Sequence, residues 1–200
     1  MGQSIAVLPE VGQAELNGRD QVFHKVVPGT RVPDFSVQLA DGSTWRLHEN
    51  APKYMLMIDV YRGYHCPRCR GHLEALSEAM DDFAAAGMDV ISISTDRKER
   101  ADKSLAEWKV GKLKLGYGLS EQDAGRLGLY MSKPIEIRPM EQFAFAEPAV
   151  FVVRSDLTLY GAIVQTFPFA RPKIPDLLEI PKFAAAQNYP PRGDYVLAAA

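Results

Sequence analysis

A long apolar segment that runs directly into two closely spaced cysteines is the feature that most constrains this chain. Residues 54–62 read YMLMIDVYR, a nearly continuous run of residues that favour strands. Such a run predicts a strand covered on both faces, as in the centre of a parallel sheet. The motif GYHCPRC follows at once, and four apolar residues from Leu73 to Phe83 then recur at helical spacing. The cysteines are therefore predicted to lie where a buried strand turns into an amphipathic helix.

The rest of the chain alternates between predicted strands and helices. Residues 35–39 and 44–47 flank the dipeptide Asp41-Gly42, a pattern typical of a β-hairpin. The other predicted elements are a strand at 88–94, a helix at 97–110, a short strand at 113–117, a short helix at 121–127, strands at 149–153 and 157–164, and a helix from Pro175 to about Ala186. Alternating units of this kind predict an α/β protein whose sheet carries helices on both faces.

The composition excludes several classes of protein. With 46% hydrophobic and 24% charged residues, the 200-residue chain is neither disordered nor of low complexity, and its length predicts one domain with extensions. The net charge of −2 gives no sign of a basic face for nucleic acid. No apolar run approaches the ~18 residues of a membrane span, and the apolar run at 5–8 is too short for a signal peptide. We therefore expect a soluble, cytoplasmic protein without nucleic-acid or membrane partners.

The position of Cys66 predicts a reactive thiol. At or next to a helix N-terminus, unpaired backbone N–H groups point at the sulfur and stabilise the thiolate. The pKa of the thiol is then expected below its reference value of about 8.5. Arg62, Arg68 and Arg70 are close in sequence and would act in the same direction. His65 would do so too, if it were protonated.

Cys69 follows Cys66 by three residues, about one helical turn, so the pair can close a disulfide. In thiol–disulfide exchange the exposed first cysteine attacks and the second resolves the mixed disulfide. Pro67 fits the first helical turn, where its missing N–H costs nothing. A redox-active pair is the favoured interpretation. Two alternatives remain: a pair of reduced structural cysteines, or a strained zinc site formed by His65, His72 and both cysteines. We expect no metal and no other cofactor.

Two segments carry a resemblance to a known family. PGTRVPDFSVQLADGSTWRL is similar to the N-terminal hairpin, and DVYRGYHCPRCRGHLEAL to the active-site segment, of the peroxiredoxin-like (alkyl hydroperoxide reductase/thiol-specific antioxidant) thioredoxin-fold redoxins. MDVISISTD, EPAVFVV and NYPPRGD give further support. The resemblance implies a thioredoxin-like three-layer α/β/α sandwich with an added N-terminal β-hairpin. It assigns residues 28–194 to this domain, 1–27 to an N-terminal extension and 195–200 to a tail.

The resemblance also implies roles for individual residues. Cys66 becomes the attacking cysteine and Cys69 its partner. Pro148 takes the position of a cis-proline that faces the active site, which is physically easy because a cis X-Pro bond costs only about 0.5–1 kcal/mol. The alternative for Pro148 is that it merely starts a strand.

The sequence also departs from the family pattern. Typical members place a Pro seven residues and a Thr three residues before the attacking cysteine, where this chain has Asp59 and Gly63. The Thr hydroxyl helps to hold the peroxide. Typical members carry an Arg near the segment that here spans 147–149, where no Arg is present. Arg62 is the candidate to replace it, since a guanidinium near Cys66 can stabilise both thiolate and developing oxyanion.

Other polar residues near the motif are weaker candidates. His65, next to Cys66, could tune or deprotonate its thiol. Asp59 lies in an apolar segment and is expected to be buried with a raised pKa; it either serves Cys69 as a proton acceptor or is a structural carboxylate. His72 is expected on the helix surface. Arg154, Arg171 and Arg192 have no partner that the sequence reveals.

Three functions follow from these observations. In a thiol peroxidase, Cys66 is oxidised by a hydroperoxide to a sulfenic acid and Cys69 condenses with it to a disulfide. In a general thiol–disulfide oxidoreductase, Cys66 attacks a disulfide directly. The third function is a non-catalytic redoxin-fold binding module. The expected partners are a hydroperoxide or disulfide substrate and a thiol reductant such as a thioredoxin or glutathione, and a homodimer is one assembly that the resemblance allows.

Overall fold

In the computed structural model, which describes residues 26–195, a seven-stranded sheet runs through the centre of the protein. The described residues form nine strands: β1 (Ser36–Leu39), β2 (Thr44–Arg46), β3 (Met55–Val60), β4 (Met88–Ile93), β5 (Lys114–Tyr117), β6 (Met131–Ser132), β7 (Phe145–Ala146), β8 (Ala149–Arg154) and β9 (Leu159–Val164). Strands β6 and β7 pair only with each other, and the other seven form the central sheet. The helices are α1 (Pro67–Glu78), α2 (Met80–Ala85), α3 (Lys98–Glu107), α4 (Glu121–Arg126) and α5 (Ile174–Gln187). Nearly all of the predicted N-terminal extension and C-terminal tail lies outside the described residues, so those boundaries stay predictions.

The sheet order is β2-β1-β5-β4-β3-β8-β9, which places β3 inside the sheet. It pairs in parallel with β4 and antiparallel with β8, and β4 pairs in parallel with β5. All six residues of β3 are buried, as predicted from the continuous apolar run. Because parallel neighbours need long crossover connections, the chain between β3 and β4 forms α1 and α2. The cysteine motif therefore starts at one end of a central strand.

Helices cover both faces of this sheet and enclose two cores. Successive side chains of β3 alternate between them, so that Ile58 joins one core and Met57 the other. The core with Ile58 includes Phe35 of the hairpin segment and Leu127 after α4. The core with Met57 includes both cysteines and apolar residues of α1 and α5. The predicted three-layer α/β/α sandwich and its added β1–β2 hairpin are confirmed.

Two helices differ from their predicted extents. The apolar repeat from Leu73 to Phe83 does not form one helix, because the chain breaks at Ala79, where ψ turns to 4° between α1 and α2. The helix predicted at 97–110 ends at Glu107, because Trp108 adopts an extended backbone with its ring buried in the core. The short pair β6–β7 was not predicted, since two-residue strands carry no periodicity. In residues 26–195 no helix is long and apolar enough to cross a membrane.

Candidate active site

The dithiol lies at the start of α1, a short loop after the end of β3. Cys66 is the N-cap residue with an extended backbone, and Pro67 is the first helical residue, as predicted. The backbone N–H of Cys69 donates to the Cys66 Sγ at 3.3 Å. The Cys66 carbonyl accepts the N–H groups of Cys69 and Arg70 and so begins the helical ladder. A helix N-terminus thus presents a backbone donor to the Cys66 sulfur, as the motif predicts.

The two thiols differ in acidity, although both are free and buried. Cys66 is only 2% exposed, so the expectation of an exposed attacking cysteine is wrong. The hydrogen bond from the Cys69 thiol, together with the Cys69 backbone N–H and the charges of Arg171 and Arg62, outweighs burial and lowers the pKa of Cys66 to about 6. Burial and the hydrogen bond to Cys66 raise the pKa of Cys69 well above its ordinary value. The arrangement therefore favours a thiolate at Cys66 and a thiol at Cys69.

Arg171, for which the sequence reveals no partner, is part of the site. Arg171 lies in the loop between β9 and α5, and its Nη2 is 2.9 Å from the Cys69 Sγ. The two residues are 102 positions apart. No local sequence pattern reports such a contact, because it depends on how the loop after β9 packs against the start of α1.

Asp59 and His72 form a buried pair on the adjacent part of β3 and α1. The His72 Nε2 is 3.1 Å from the Asp59 Oδ1, and the Ser92 hydroxyl donates to the Asp59 Oδ2 at 3.3 Å. Burial raises the pKa of Asp59, but the combined effects of His72, Ser92 and the charge of Arg171 are larger, so its pKa lies below the ordinary value. The expected raised pKa is therefore wrong. The expected surface position of His72 is also wrong, since its side chain is 7% exposed and faces Asp59.

Arg62 is held by two carboxylates and an aromatic ring. Its Nη2 lies 3.3 Å from the Glu141 Oε1 and its Nε 3.3 Å from the Glu147 Oε2. The guanidinium carbon is 4.6 Å from the centre of the Phe145 ring. Most of its charge is thus neutralised locally, although it still contributes to the lowered pKa of Cys66.

His65 is neutral at neutral pH. Burial first, and then the charges of Arg100 and Arg62, lower its pKa to about 4. Its ring centre lies 4.6 Å from that of Phe145, and its buried Nε2 has no hydrogen-bond partner in the part of the chain that the structure describes. The protonated state in which His65 would support the Cys66 thiolate is therefore not the one populated at pH 7.

Gly63 explains one departure from the family pattern. Its φ is +121°, and a Cβ at this position would lie 2.6 Å from the Asp96 Oδ1. The Asp96 carboxylate is fixed there, because it accepts the Tyr64 N–H at 2.7 Å and lies 3.2 Å from the Arg100 Nε. The place of the missing Thr is therefore closed to any side chain, since strained backbone and occupied space both exclude one.

Pro148 does not have the expected cis peptide. Residues 26–195 contain no cis peptide bond, so the bond that precedes Pro148 is trans. The trans form is the more stable one by about 0.5–1 kcal/mol, and here Pro148 directly precedes strand β8. Its carbonyl accepts the Gln165 N–H at 3.1 Å. Pro148 is nevertheless near the site, because it lines a small cavity together with Asp59 and Arg171.

The four residues of the zinc alternative do not form a metal site in the described part of the chain. The ring of His72 binds Asp59, and the ring of His65 packs on Phe145. Within the described part of the chain, no group of three or more His, Cys, Asp or Glu side chains is placed to hold a metal ion. Among these residues the zinc alternative therefore lacks a coordination geometry.

The fold and the site define a thioredoxin-fold redoxin. The central strand β3 leads into α1, and the first of the two cysteines caps that helix. The sequence profile of the AhpC/TSA family matches residues 28–161, and the chain belongs to this family. It is thus an oxidoreductase of a thiol peroxidase family.

Solved structures show the same fold. A cysteine-to-serine mutant of peroxiredoxin 6 from Arenicola marina superposes with a TM-score of 0.67 at 17% identity, over 81% of this chain and 76% of that one. For a peroxiredoxin-like protein from Aquifex aeolicus the TM-score is 0.65 at 14% identity, over 80% of this chain and 88% of that one. For the reduced 2-Cys peroxiredoxin of Plasmodium vivax the TM-score is 0.63 at 16% identity, over 82% of this chain and 84% of that one. A comparison with curated proteins finds no match.

Proposed function

We propose that this chain is a thiol peroxidase that works through the Cys66–Cys69 pair. The Cys66 thiolate attacks the outer oxygen of a hydroperoxide, and the O–O bond breaks. Cys66 becomes a sulfenic acid, and the other oxygen leaves as an alcohol or water after taking up a proton. The Cys69 sulfur then attacks the Cys66 sulfur, so that water leaves and a disulfide forms. A thiol reductant of the thioredoxin or glutathione class returns both cysteines to the reduced state.

The position of Cys66 at the N-terminus of α1, where its sulfur accepts the Cys69 N–H, is the observation that carries this proposal. A pKa of about 6 makes Cys66 mostly thiolate at pH 7, and the thiolate is the reactive species. The same hydrogen bond that lowers this pKa comes from the Cys69 thiol, which therefore already lies beside the sulfur that it would attack. Arg62 and the neutral His65 are supporting residues in this proposal. Arg62 adds positive charge near the thiolate, and His65 packs beside Phe145 next to it.

A general thiol–disulfide oxidoreductase is the second candidate, and Gly63 is the observation that favours it. The threonine that helps typical members to hold a peroxide has no room here, because Asp96 occupies the space beside Gly63. Such an enzyme would use the same Cys66 thiolate on a disulfide substrate. Its distinguishing property is a slow reaction with peroxide and a fast reaction with disulfides.

The deciding experiment measures thiol loss in fully reduced protein after hydrogen peroxide is added, with free cysteine as the baseline. We expect loss far above the baseline, with two thiols consumed for each peroxide. Cys69→Ser should keep the fast first step but form no intramolecular disulfide, whereas Cys66→Ser should react no faster than the baseline. Baseline loss in the wild type would reject the peroxidase. Fast reduction of a small disulfide by that protein would then identify the oxidoreductase, and no reaction of either kind would leave a binding module.

A further inference from the structure

Within the described residues, the guanidinium of Arg171 bonds to Cys69 and forms no ion pair with a carboxylate. Its Nη2 is 2.9 Å from the Cys69 Sγ, well within the reach of a hydrogen bond to sulfur. Cys69 is fully buried, and the Arg171 Nε is buried without a hydrogen-bond partner among the described residues. Within residues 26–195 no carboxylate lies at ion-pair distance from Arg171, whereas Arg62 has two. The sulfur of Cys69 is thus the group on which this guanidinium acts most directly.

The surroundings explain how a partly buried cation is tolerated there. Asp59 lines the same small cavity as Arg171 and feels its charge, while its carboxylate oxygens bond to His72 and Ser92. Asp59 therefore balances Arg171 from a distance without occupying its N–H groups. A guanidinium held in this way is available to a negative charge that develops on the adjacent sulfur.

We propose that Arg171 is a further catalytic residue, which stabilises the Cys69 thiolate that leaves when the Cys66–Cys69 disulfide is reduced. This inference rests on the proposed function in one respect, namely that the two cysteines form a disulfide. It assigns Arg171 to the recycling of the enzyme, in addition to any effect on the attack of Cys66 on peroxide.

The recycling step shows why the charge is needed. A thiolate of a dithiol reductant attacks the Cys66 Sγ, a reductant–Cys66 bond forms, and the Cys66–Cys69 bond breaks with its electron pair on the Cys69 Sγ. The second reductant thiol then displaces Cys66 as a thiolate, the reductant becomes a disulfide, and Cys69 takes up a released proton. Between these events a full negative charge sits on a buried sulfur, which is costly without a cation beside it. The guanidinium at 2.9 Å supplies that cation.

The test removes the charge and measures reduction of the disulfide. Wild type and Arg171→Met are oxidised with diamide, so that the disulfide forms without peroxidase activity, and each is then reduced with dithiothreitol. We expect the rate constant of reduction to fall at least tenfold in Arg171→Met. Because the charge of Arg171 also favours the Cys66 thiolate of the reduced protein, we expect the equilibrium with dithiothreitol to shift about tenfold toward the disulfide, or about 30 mV to a more negative potential. Arg171→Lys should partly restore both the rate constant and the equilibrium, because lysine keeps the charge but lacks the planar guanidinium.

Arg154→Met is the matched control. Arg154 is exposed and pairs with Met55 at the start of β3, the end of that strand remote from the dithiol. It should reduce at the wild-type rate. If Arg171→Met fails to fold, Arg171→Gln replaces it and should show the same loss, because it also lacks the charge.

The outcomes separate this inference from the proposed function. A charge-free Arg171 variant with the rate and potential of the wild type would overturn the role of Arg171. Slow reaction of the wild type with peroxide, together with normal disulfide formation by diamide, would reject the peroxidase and leave the Arg171 test intact. Failure of the wild type to form the disulfide even with diamide would overturn both.

Discussion

Replacing Cys69 with alanine should make Cys66 a much weaker acid. The Cys69 thiol is the largest cause of the lowered pKa of Cys66, and it acts as a hydrogen-bond donor to the thiolate. The substitution removes this donor but leaves the Cys69 backbone N–H, which lies 3.3 Å from the Cys66 Sγ, in place. The experiment therefore isolates the side-chain hydrogen bond from the effect of the helix N-terminus.

The expected size of the change follows from the energy of such a bond. A hydrogen bond to a charged group contributes about 1.5–3 kcal/mol, which corresponds to about one to two pKa units. The pKa of Cys66 should therefore rise from about 6 to about 7–8 in Cys69→Ala. At pH 6 the thiolate fraction would fall from about one half to about one tenth or less.

The pH dependence of alkylation by iodoacetamide measures this pKa, because only the thiolate reacts at an appreciable rate. Cys69→Ser is the control, since its hydroxyl keeps a donor and should produce a smaller rise. Thiolate absorbance at 240 nm gives an independent reading of the same titration. Equal midpoints in wild type, Cys69→Ala and Cys69→Ser would refute the reasoning, because the acidity of Cys66 would then come from the backbone and the arginines alone.

Three further predictions concern stability. Gly63→Ala should cost about 1–3 kcal/mol in urea unfolding, because its φ of +121° and the nearby carboxylate exclude a Cβ. Gly71→Ala should be neutral or stabilising, because Gly71 lies within α1 and a Cβ there meets open space; equal effects of the two substitutions would contradict this. Asp59→Asn should lower the unfolding free energy by about 3–5 kcal/mol, because it breaks the buried pair with His72. Asp81→Asn, at an exposed ion pair, should lower it by less than about 1 kcal/mol. A nearly neutral Asp59→Asn would argue against a buried ionised carboxylate. Folding lowers the pKa of Cys66 from 9.0 to about 6. The unfolding free energy of the reduced protein, relative to that of Cys66→Ala, should therefore rise by up to about 4 kcal/mol from pH 6 to pH 9, and this contribution is lost as the pH falls through about 6. A difference that does not change with pH would be inconsistent with a thiolate in the folded state.

The fold could be predicted because its main features are encoded locally. The run YMLMIDVYR alone indicates a strand covered on both faces, and Asp41-Gly42 indicates the hairpin turn, in which Gly42 has a φ of +84°. The break at Ala79 could not be predicted in this way. The apolar residues on its two sides keep a helical spacing, and only packing within the folded protein ends one helix and starts another there.

The site was predictable to the extent that it lies within one motif. The N-cap position of Cys66 follows from the strand–turn–helix pattern, and Pro67 follows from the same pattern. The partners that complete the site come from distant parts of the chain. His72 reaches Asp59 across 13 positions, and Arg171 reaches Cys69 across 102, so both contacts exist only once the layers have packed together.

Because both sulfurs are buried, the reaction rate depends on how often the protein opens to expose them. A reactant can meet the Cys66 sulfur, which is 2% exposed, only while the covering side chains move aside. If this open state held about 1% of molecules, the observed reaction would be about a hundredfold slower than that of the same thiolate in an open site. Changes far from the sulfurs that loosen the cover would then speed the reaction without altering the acidity of either thiol. Hydrogen exchange in the first turn of α1 would report that opening, whereas the amides of the fully buried β3 would report only unfolding of the whole domain.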